Sequence, residues 1–393
     1  MKDFNIYNPT KIVFGWGVIE RCGIEAAKLG KKSLIVTGKS STKKTGVLDK
    51  VIALLKNAGV EAVVYSGVTP NPKTDETDEA ANLGRKENCD FVIGLGGGSA
   101  MDAAKGAAVV LKSGGNLWDY VWLPSKKAKQ INDAAPIMLI PTLAATGSEG
   151  NPSAVFTNKQ TKQKAAIYNP DKIYPRVSIV DPSLTVTVPA KQTAEGIIDI
   201  IMHVLEEYLT GETECDLQDR ITEGIILTCI ENAEKAINEP GDKKARTNIS
   251  LASTVALQGL PNSGRAGEWV VHPIEHAVTG IYDNIAHGSG IAAILPAYLR
   301  FLFDKKPDRI KQLSMRIFGA DEYAEEGELM EVCAKGFEDF ISSMGLANNL
   351  KDAGVEKSML PMIADKLIEV SGIPGIIGNK EKLTFILKSA YGE

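Results

Sequence analysis

Apolar and polar positions follow two alternating periods in the first half of the chain and a single period in the second. Short extended runs stand at 11–14, 33–37, 61–66, 90–95 and 136–140. Between them, 47–58 repeats apolar residues at the helical period, and 18–29, 74–88 and 99–112 also read as helices. The run 90–95 is almost continuously apolar, as expected of a strand buried on both faces. Strands alternating with helices predict a parallel sheet covered on both sides, with ligands at the carboxyl ends of its strands. The stretch 155–180 changes to short extended runs, read as a hairpin and a return strand that completes the sheet. The hinge is expected at 181–189, with Pro189 suited to a helix start. Beyond it strand patterning disappears, and helices are expected near 191–210, 217–238, 246–259, 267–278, 288–303, 309–317, 327–344, 356–369 and 380–390. The fold class expected is therefore an α/β domain with a parallel sheet over 1–187, followed by an all-α domain over 188–393.

Composition narrows the function. A chain of 393 residues, 44% hydrophobic, can bury two cores. A net charge of −5 without a basic patch argues against a nucleic-acid partner. The five cysteines are scattered, odd in number and form no C-x-x-C, which fits a reducing compartment. The N-terminal M-K-D-F-N-I-Y-N-P-T lacks an apolar signal core, and no apolar run is long enough to span a bilayer. A cytoplasmic location is expected.

Three strand ends carry unusual residues. The run 90–95 leads into Gly96-Gly97-Gly98-Ser99 and a helix. Glycines let the backbone approach a ligand, and the N–H groups of a helix start can hold a diphosphate. The spacing is not G-x-G-x-x-G and follows a later strand, so an ordinary Rossmann fingerprint does not apply. The second end, Gly38-Lys39-Ser40-Ser41, looks like the tail of a Walker A loop, but serine occupies position 33, where that motif needs glycine. Its hydroxyls and lysine suit the 2′-phosphate of NADP, and no carboxylate stands there to accept bonds from a ribose 2′-OH. A plain solvated loop remains the alternative. The third end, 141–149, is rich in small and hydroxyl residues that suit a cofactor cleft or an ordinary loop.

The chain has only four histidines, and all fall between 203 and 287. Asp199 and His203 are four apart in a predicted helix, as are His272 and His276; His287 opens a third helix. Residues four apart share a helix face. One carboxylate and two or three imidazoles on converging helices suit a divalent ion such as Zn²⁺ or Fe²⁺.

With these residues in view, the chain resembles the iron-containing, or group III, alcohol dehydrogenases, and within them the butanol dehydrogenase branch. The resemblance covers nearly the whole chain and is carried by G-G-G-S-A-M-D-A-A-K at 96–105, P-T-L-A-A-T-G-S-E at 141–149, G-I-I-D-I-I-M-H at 196–203 and H-P-I-E-H…H at 272–287. It implies a dinucleotide-binding α/β domain over 1–187 and a helical metal-binding domain over 188–393, the dehydroquinate synthase-like fold. It implies Asp199, His203, His272 and His287 as metal ligands, and His276 as a non-ligand histidine near the nicotinamide. Gly97, Gly98 and Ser99 would hold the pyrophosphate. Asn71, Asp102, Thr142, Thr146 and Lys164 are carried over as further cofactor contacts, beside Gly38, Lys39, Ser40 and Ser41. Two departures stand out. The interval from His276 to His287 is one residue longer than in many relatives, and Lys39 replaces a glycine in the loop that goes with NADP.

The expected activity is metal-dependent, reversible oxidoreduction of a short-chain primary alcohol or aldehyde, butanol-like, with NADP(H) favoured over NAD(H) and Fe²⁺ over Zn²⁺. The site is expected in a cleft between the domains of a homodimer that binds neither nucleic acid nor membrane. Alternatives are a polyol dehydrogenase or dehydroquinate synthase-like lyase of the same superfamily, and a metallohydrolase of a phosphorylated substrate. The lyase needs extra cations around the metal, where the stretch offers only Arg265.

Overall fold

The computed structural model describes residues 1–393. Its contacts group the chain into two units: Tyr7–Val188 with Pro240–Gln258, and Met1–Ile6 with Pro189–Glu239 and Gly259–Glu393. In the first unit, strands β1 (Lys11–Phe14), β2 (Lys32–Gly38), β3 (Glu61–Val68), β4 (Phe91–Gly96), β5 (Ile137–Pro141) and β8 (Val177–Val180) form one parallel sheet. Strands β6 (Ser153–Asn158) and β7 (Gln163–Tyr168) make a separate antiparallel hairpin. The sheet order is β1-β8-β5-β4-β2-β3. The chain passes from β2 outward to β3, returns to β4 on the other side of β2, and continues through β5 and β8. The order thus reverses at β2 and β4, paired in the register Thr37 with Leu95. At such a reversal the carboxyl ends of neighbouring strands open a crevice. Gly38 and Gly96, the ends of β2 and β4, stand there side by side.

Helices α1 (Cys22–Ala26), α2 (Ser41–Lys44), α3 (Val47–Asn57), α4 (Thr74–Lys86) and α5 (Gly98–Ser113) surround this sheet. On α3 the buried residues are Leu48, Val51 and Leu55, the apolar stripe that marked it in the sequence. The expected helix 18–29 is broken into a 3₁₀ turn, Val18–Arg21, and the short α1. Asp181 imposes the break: its carboxylate accepts the N–H groups of Gly17 and Ile19, so the first turn bonds to a carboxylate across the fold.

The second unit contains α6 (Ala190–Thr210), α7 (Asp216–Asn238), α9 (Val271–Ile281), α10 (His287–Leu302), α11 (Pro307–Phe318), α12 (Glu326–Ser343), α13 (Leu360–Ser371) and α14 (Lys380–Tyr391). All nine expected helices form, but α8 (Lys243–Ala256) belongs to the α/β unit, where Thr254 donates to the Glu149 carboxylate at 2.7 Å. The loop 259–270, which delivers the chain to α9, is pinned from inside. Buried Asp219 accepts from Arg265 Nη1 and Arg309 Nη1, each at 2.6 Å, and both guanidinium groups lie over the Tyr208 ring. Arg265 Nε closes back on the Pro261 carbonyl at 2.9 Å. Paired and hydrogen-bonded buried charges hold a geometry firmly, because losing one partner strands the other.

Candidate active site

The glycine loop is shaped by contacts that no other residue tolerates. Gly96 has φ +149°, and a Cβ there would lie 2.8 Å from the Ala100 Cβ; one at Gly98 would lie 2.4 Å from Thr146 Cγ2. Gly97 caps α5 in an extended conformation with no side-chain bond. The first N–H groups of α5 have no partner within the helix, so they are available to an anion.

The residues proposed from sequence for the cofactor fall into three groups. Lys39, Ser40 and Ser41 are exposed just past Gly38, and the nearby Lys43 is already paired with Asp49 at 2.6 Å. Asn71 is buried in the left-handed region, φ 51°, and accepts from Lys164 Nζ at 3.0 Å, so these two are brought together. Thr142 and Thr146 lie on the loop after β5, where the Thr142 N–H bonds to the Gly96 carbonyl at 2.9 Å and Thr146 packs against Gly98. Ser99 sits on the first turn of α5. Asp102 is different. Its two carboxylate oxygens accept from Ser148 Oγ and the Val155 N–H, both at 2.8 Å, so it ties α5 to that loop and to β6. Burial pushes its carboxyl up despite nearby Lys105.

In the helical unit the histidines converge. Asp199 and His203 share a face of α6, His272 and His276 share a face of α9, and His287 is the first residue of α10. Asp199 Oδ1 lies 3.6 Å from His203 Nε2, 3.5 Å from His272 Nε2 and 3.4 Å from His287 Nε2. Donors bound at about 2.1 Å around a tetrahedral ion sit about 3.4 Å apart, which the three separations from Asp199 match. Asp199 Oδ1 and His272 Nε2 are buried without a hydrogen-bond partner. Orphaned polar atoms of that kind are costly unless a cation engages them, so the donor set fits a divalent ion. The ligand atoms of Asp199, His272 and His287 lie within 4.8 Å of one another, and so do those of Glu275, His276 and His287. The longer interval before His287 therefore still returns it to Asp199.

Electrostatics agree with the donor set. Burial would raise the Asp199 carboxyl, but the surrounding His203, His287 and His272 hold it well below the usual carboxylate range. Burial pushes His203 down to about 3, so its imidazole is neutral and able to ligate. Burial opposes charge on His272 as well, yet the carboxylates of Asp199 and Glu206 raise it to about 9, and cation binding would release that proton.

Two residues here escaped the sequence reading. Glu206 accepts from the His272 Nδ1 side at 2.9 Å, and Glu275 contacts His287 Nδ1. Their signal was spacing: Glu206 is three residues past His203, and Glu275 three past His272. Glu206 also explains why α9 begins at Val271 and not near 267. It accepts the N–H groups of Val270, Val271 and His272, so the helix starts where this carboxylate caps it.

Comparison with known proteins divides the chain between residues 182 and 193, at the expected hinge. The family model "Iron-containing alcohol dehydrogenase" matches residues 9–182, and the C-terminal model "Fe-containing alcohol dehydrogenase family" matches 193–391. A probable NADH-dependent butanol dehydrogenase of Bacillus subtilis is 37% identical, covering 99% of this chain and all of its own. The NADPH-dependent aldehyde reductase YqhD of Escherichia coli is 34% identical, covering 94% of each chain. The crystal structure of the NADH-dependent butanol dehydrogenase A of Thermotoga maritima superposes with a TM-score of 0.92, at 37% identity and 99% coverage of both chains. A glycine loop at the sheet's reversal point and a carboxylate facing three imidazoles thus sit on a chain matched over nearly its full length, and the protein belongs to the iron-containing alcohol dehydrogenase family.

Proposed function

We propose that this enzyme interconverts a short-chain primary alcohol and its aldehyde, of the size of butanol and butyraldehyde, using NADP(H) in preference to NAD(H). The observation that carries the proposal is the buried Asp199 oxygen facing three imidazole nitrogens at 3.4–3.6 Å. Relatives named as butanol dehydrogenases and an aldehyde reductase support the substrate class. Asp199, His203, His272 and His287 would hold the ion, Fe²⁺ in our reading with Zn²⁺ as the alternative. When bound, the ion supplies positive charge to the substrate oxygen and the nicotinamide supplies or takes the hydride.

The chain's own residues do the rest. With a dication bound, one ligating carboxylate among neutral imidazoles would leave the centre net positive, which would favour negative charge on the substrate oxygen. Trp269 packs against the His272 ring at a tilt of 53°, centroids 4.8 Å apart, and is itself fixed by donating to Glu207 at 3.2 Å. His276, partly exposed and with its ring 5.6 Å from that of His287, is placed to pass the substrate proton toward solvent. Gly97, Gly98 and Ser99 would receive the pyrophosphate, with Asn71, Thr142, Thr146 and Lys164 as further contacts. Asp102 keeps their loop in place. Lys39, Ser40 and Ser41 would receive the 2′-phosphate; relatives are named for NADH and for NADPH alike. We further take the protein to be a cytoplasmic homodimer. All five cysteines are free thiols, and β1 stands at an edge of the sheet. No helix is long and apolar enough to cross a membrane.

The test follows absorbance at 340 nm with butyraldehyde and NADPH, then NADH, before and after chelation and with Fe²⁺ or Zn²⁺ restored. Metal-dependent oxidation, faster with NADPH, is the expected result. Lys39→Ala should raise KM for NADPH roughly tenfold and leave KM for NADH unchanged, since a charge-assisted contact to phosphate is lost. Faster use of NADH by the unaltered enzyme would discard the cofactor preference. No oxidation of either cofactor across several aldehydes and metals would favour the lyase or hydrolase.

A further inference from the structure

We infer that Glu206 and Glu275 are positioning residues that set the metal affinity, each holding one imidazole by Nδ1 so that its Nε2 faces the centre. The inference rests on the assignment of the ion to Asp199 and the three histidines. Asp199, His203 and Glu206 occupy positions i, i+4 and i+7 of α6, and so lie on one face. His272 and Glu275 occupy i and i+3 of α9. The grips run from helix to helix: the α6 carboxylate takes the α9 imidazole at 2.9 Å, and the α9 carboxylate takes the α10 imidazole. Both carboxylate side chains are fully buried.

A carboxylate only accepts, so the proton of each held ring stays on Nδ1 and the lone pair stays on Nε2. That is the tautomer a ligand needs, and the nearby negative charge makes the ring a stronger donor. His203 is treated differently. Its Nδ1 is buried without a hydrogen-bond partner, and its ring is oriented by stacking on His272, with centroids 4.7 Å apart and planes at 22°. Only the two ligands that lie off α6 receive a carboxylate. Asp199 and His203 share a helix, whereas the rings on α9 and α10 must be aimed across helix interfaces. The fold also makes room for this: a Cβ at Gly290, on the first turn of α10, would lie 2.8 Å from Glu275 Cγ.

The test compares the full-length protein with Glu206→Gln and Glu275→Gln. Three quantities are read: the Zn²⁺ dissociation constant by competition with a chromophoric chelator, the visible spectrum of the Co²⁺-loaded protein, and the melting temperature of the metal-free form. Each variant is expected to bind Zn²⁺ 10–100-fold more weakly and to alter the Co²⁺ spectrum. The metal-free melting temperature of Glu275→Gln should stay at the wild-type value. Glu206 also caps α9, so Glu206→Gln is expected to lower its own metal-free melting temperature, and Glu275→Gln then carries the test. Zn²⁺ affinity within twofold of wild type, with an unaltered Co²⁺ spectrum, would overturn the assignment for whichever residue gave it. A wild-type protein that takes up neither Zn²⁺ nor Co²⁺ would instead remove the ion from Asp199 and the histidines, and this inference with it.

Discussion

Asp199→Asn is expected to lower turnover by about 10³-fold or more while leaving the chain folded. Asparagine has the carboxylate's shape without its charge. In the unaltered protein that carboxylate faces the Nε2 atoms of all three imidazoles at 3.4–3.6 Å, whereas Glu206 and Glu275 contact only the Nδ1 atoms of His272 and His287. Without it a dication would have to enter a buried site lined only by neutral ligands. If the ion's charge stabilises the transition state by about 4 kcal/mol, its loss corresponds to roughly a thousandfold in rate. The fold should persist, because α6 is anchored by an apolar face that includes Ile197, Ile198, Ile200, Ile201, Val204 and Leu205, all fully buried. The measurement is kcat with saturating aldehyde and cofactor, alongside metal content and far-ultraviolet circular dichroism. Near-normal turnover with one bound ion per chain would take Asp199 out of the metal site.

The clustering of Asp199 with the histidines was legible because histidine is so rare here that its placement carried information, and because i, i+4 pairs on apolar helices state which side chains share a face. The glycine loop was legible for a related reason: three successive glycines between a buried strand and a helix need a cause, and the close approaches at Gly96 and Gly98 supply one. What stayed hidden depends on partners distant in sequence. Glu206 and Glu275 read as ordinary helix residues until α9 and α10 close on them. Asp102, carried over as a cofactor contact, has both oxygens engaged by residues 46 and 53 positions away. Helix α8 falls in the helical half by order, but Thr254 bonds to Glu149 and so lies with the α/β unit. Local pattern reports which face of an element is apolar; it does not report which neighbour that face will meet.

Gly288→Ala should cost more than any other single methyl in the helical unit. Position 288 follows His287 on the first turn of α10, and an added Cβ would stand 2.1 Å from the backbone oxygen of Glu195 and 2.6 Å from its carbonyl carbon. Backbone cannot rotate aside as a side chain can, so α10 must draw away from α6. Overpacking of this kind costs roughly 1–3 kcal/mol, which lowers the melting temperature by roughly 2–12 °C. The effect on activity should be larger, because the helix that moves carries His287 away from Asp199. A misplacement of about 1 Å in a catalytic group costs roughly 10²-fold. Gly224→Ala is the matched control. It lies inside α7, where an added Cβ meets nothing within 4 Å, so the change should stabilise by up to about 1 kcal/mol through helix propensity alone. Opposite signs in the two melting temperatures, with turnover lost only in Gly288→Ala, would tie the site to the close approach of α6 and α10. A Gly288→Ala enzyme with normal turnover and normal metal content would show that His287 does not depend on that approach.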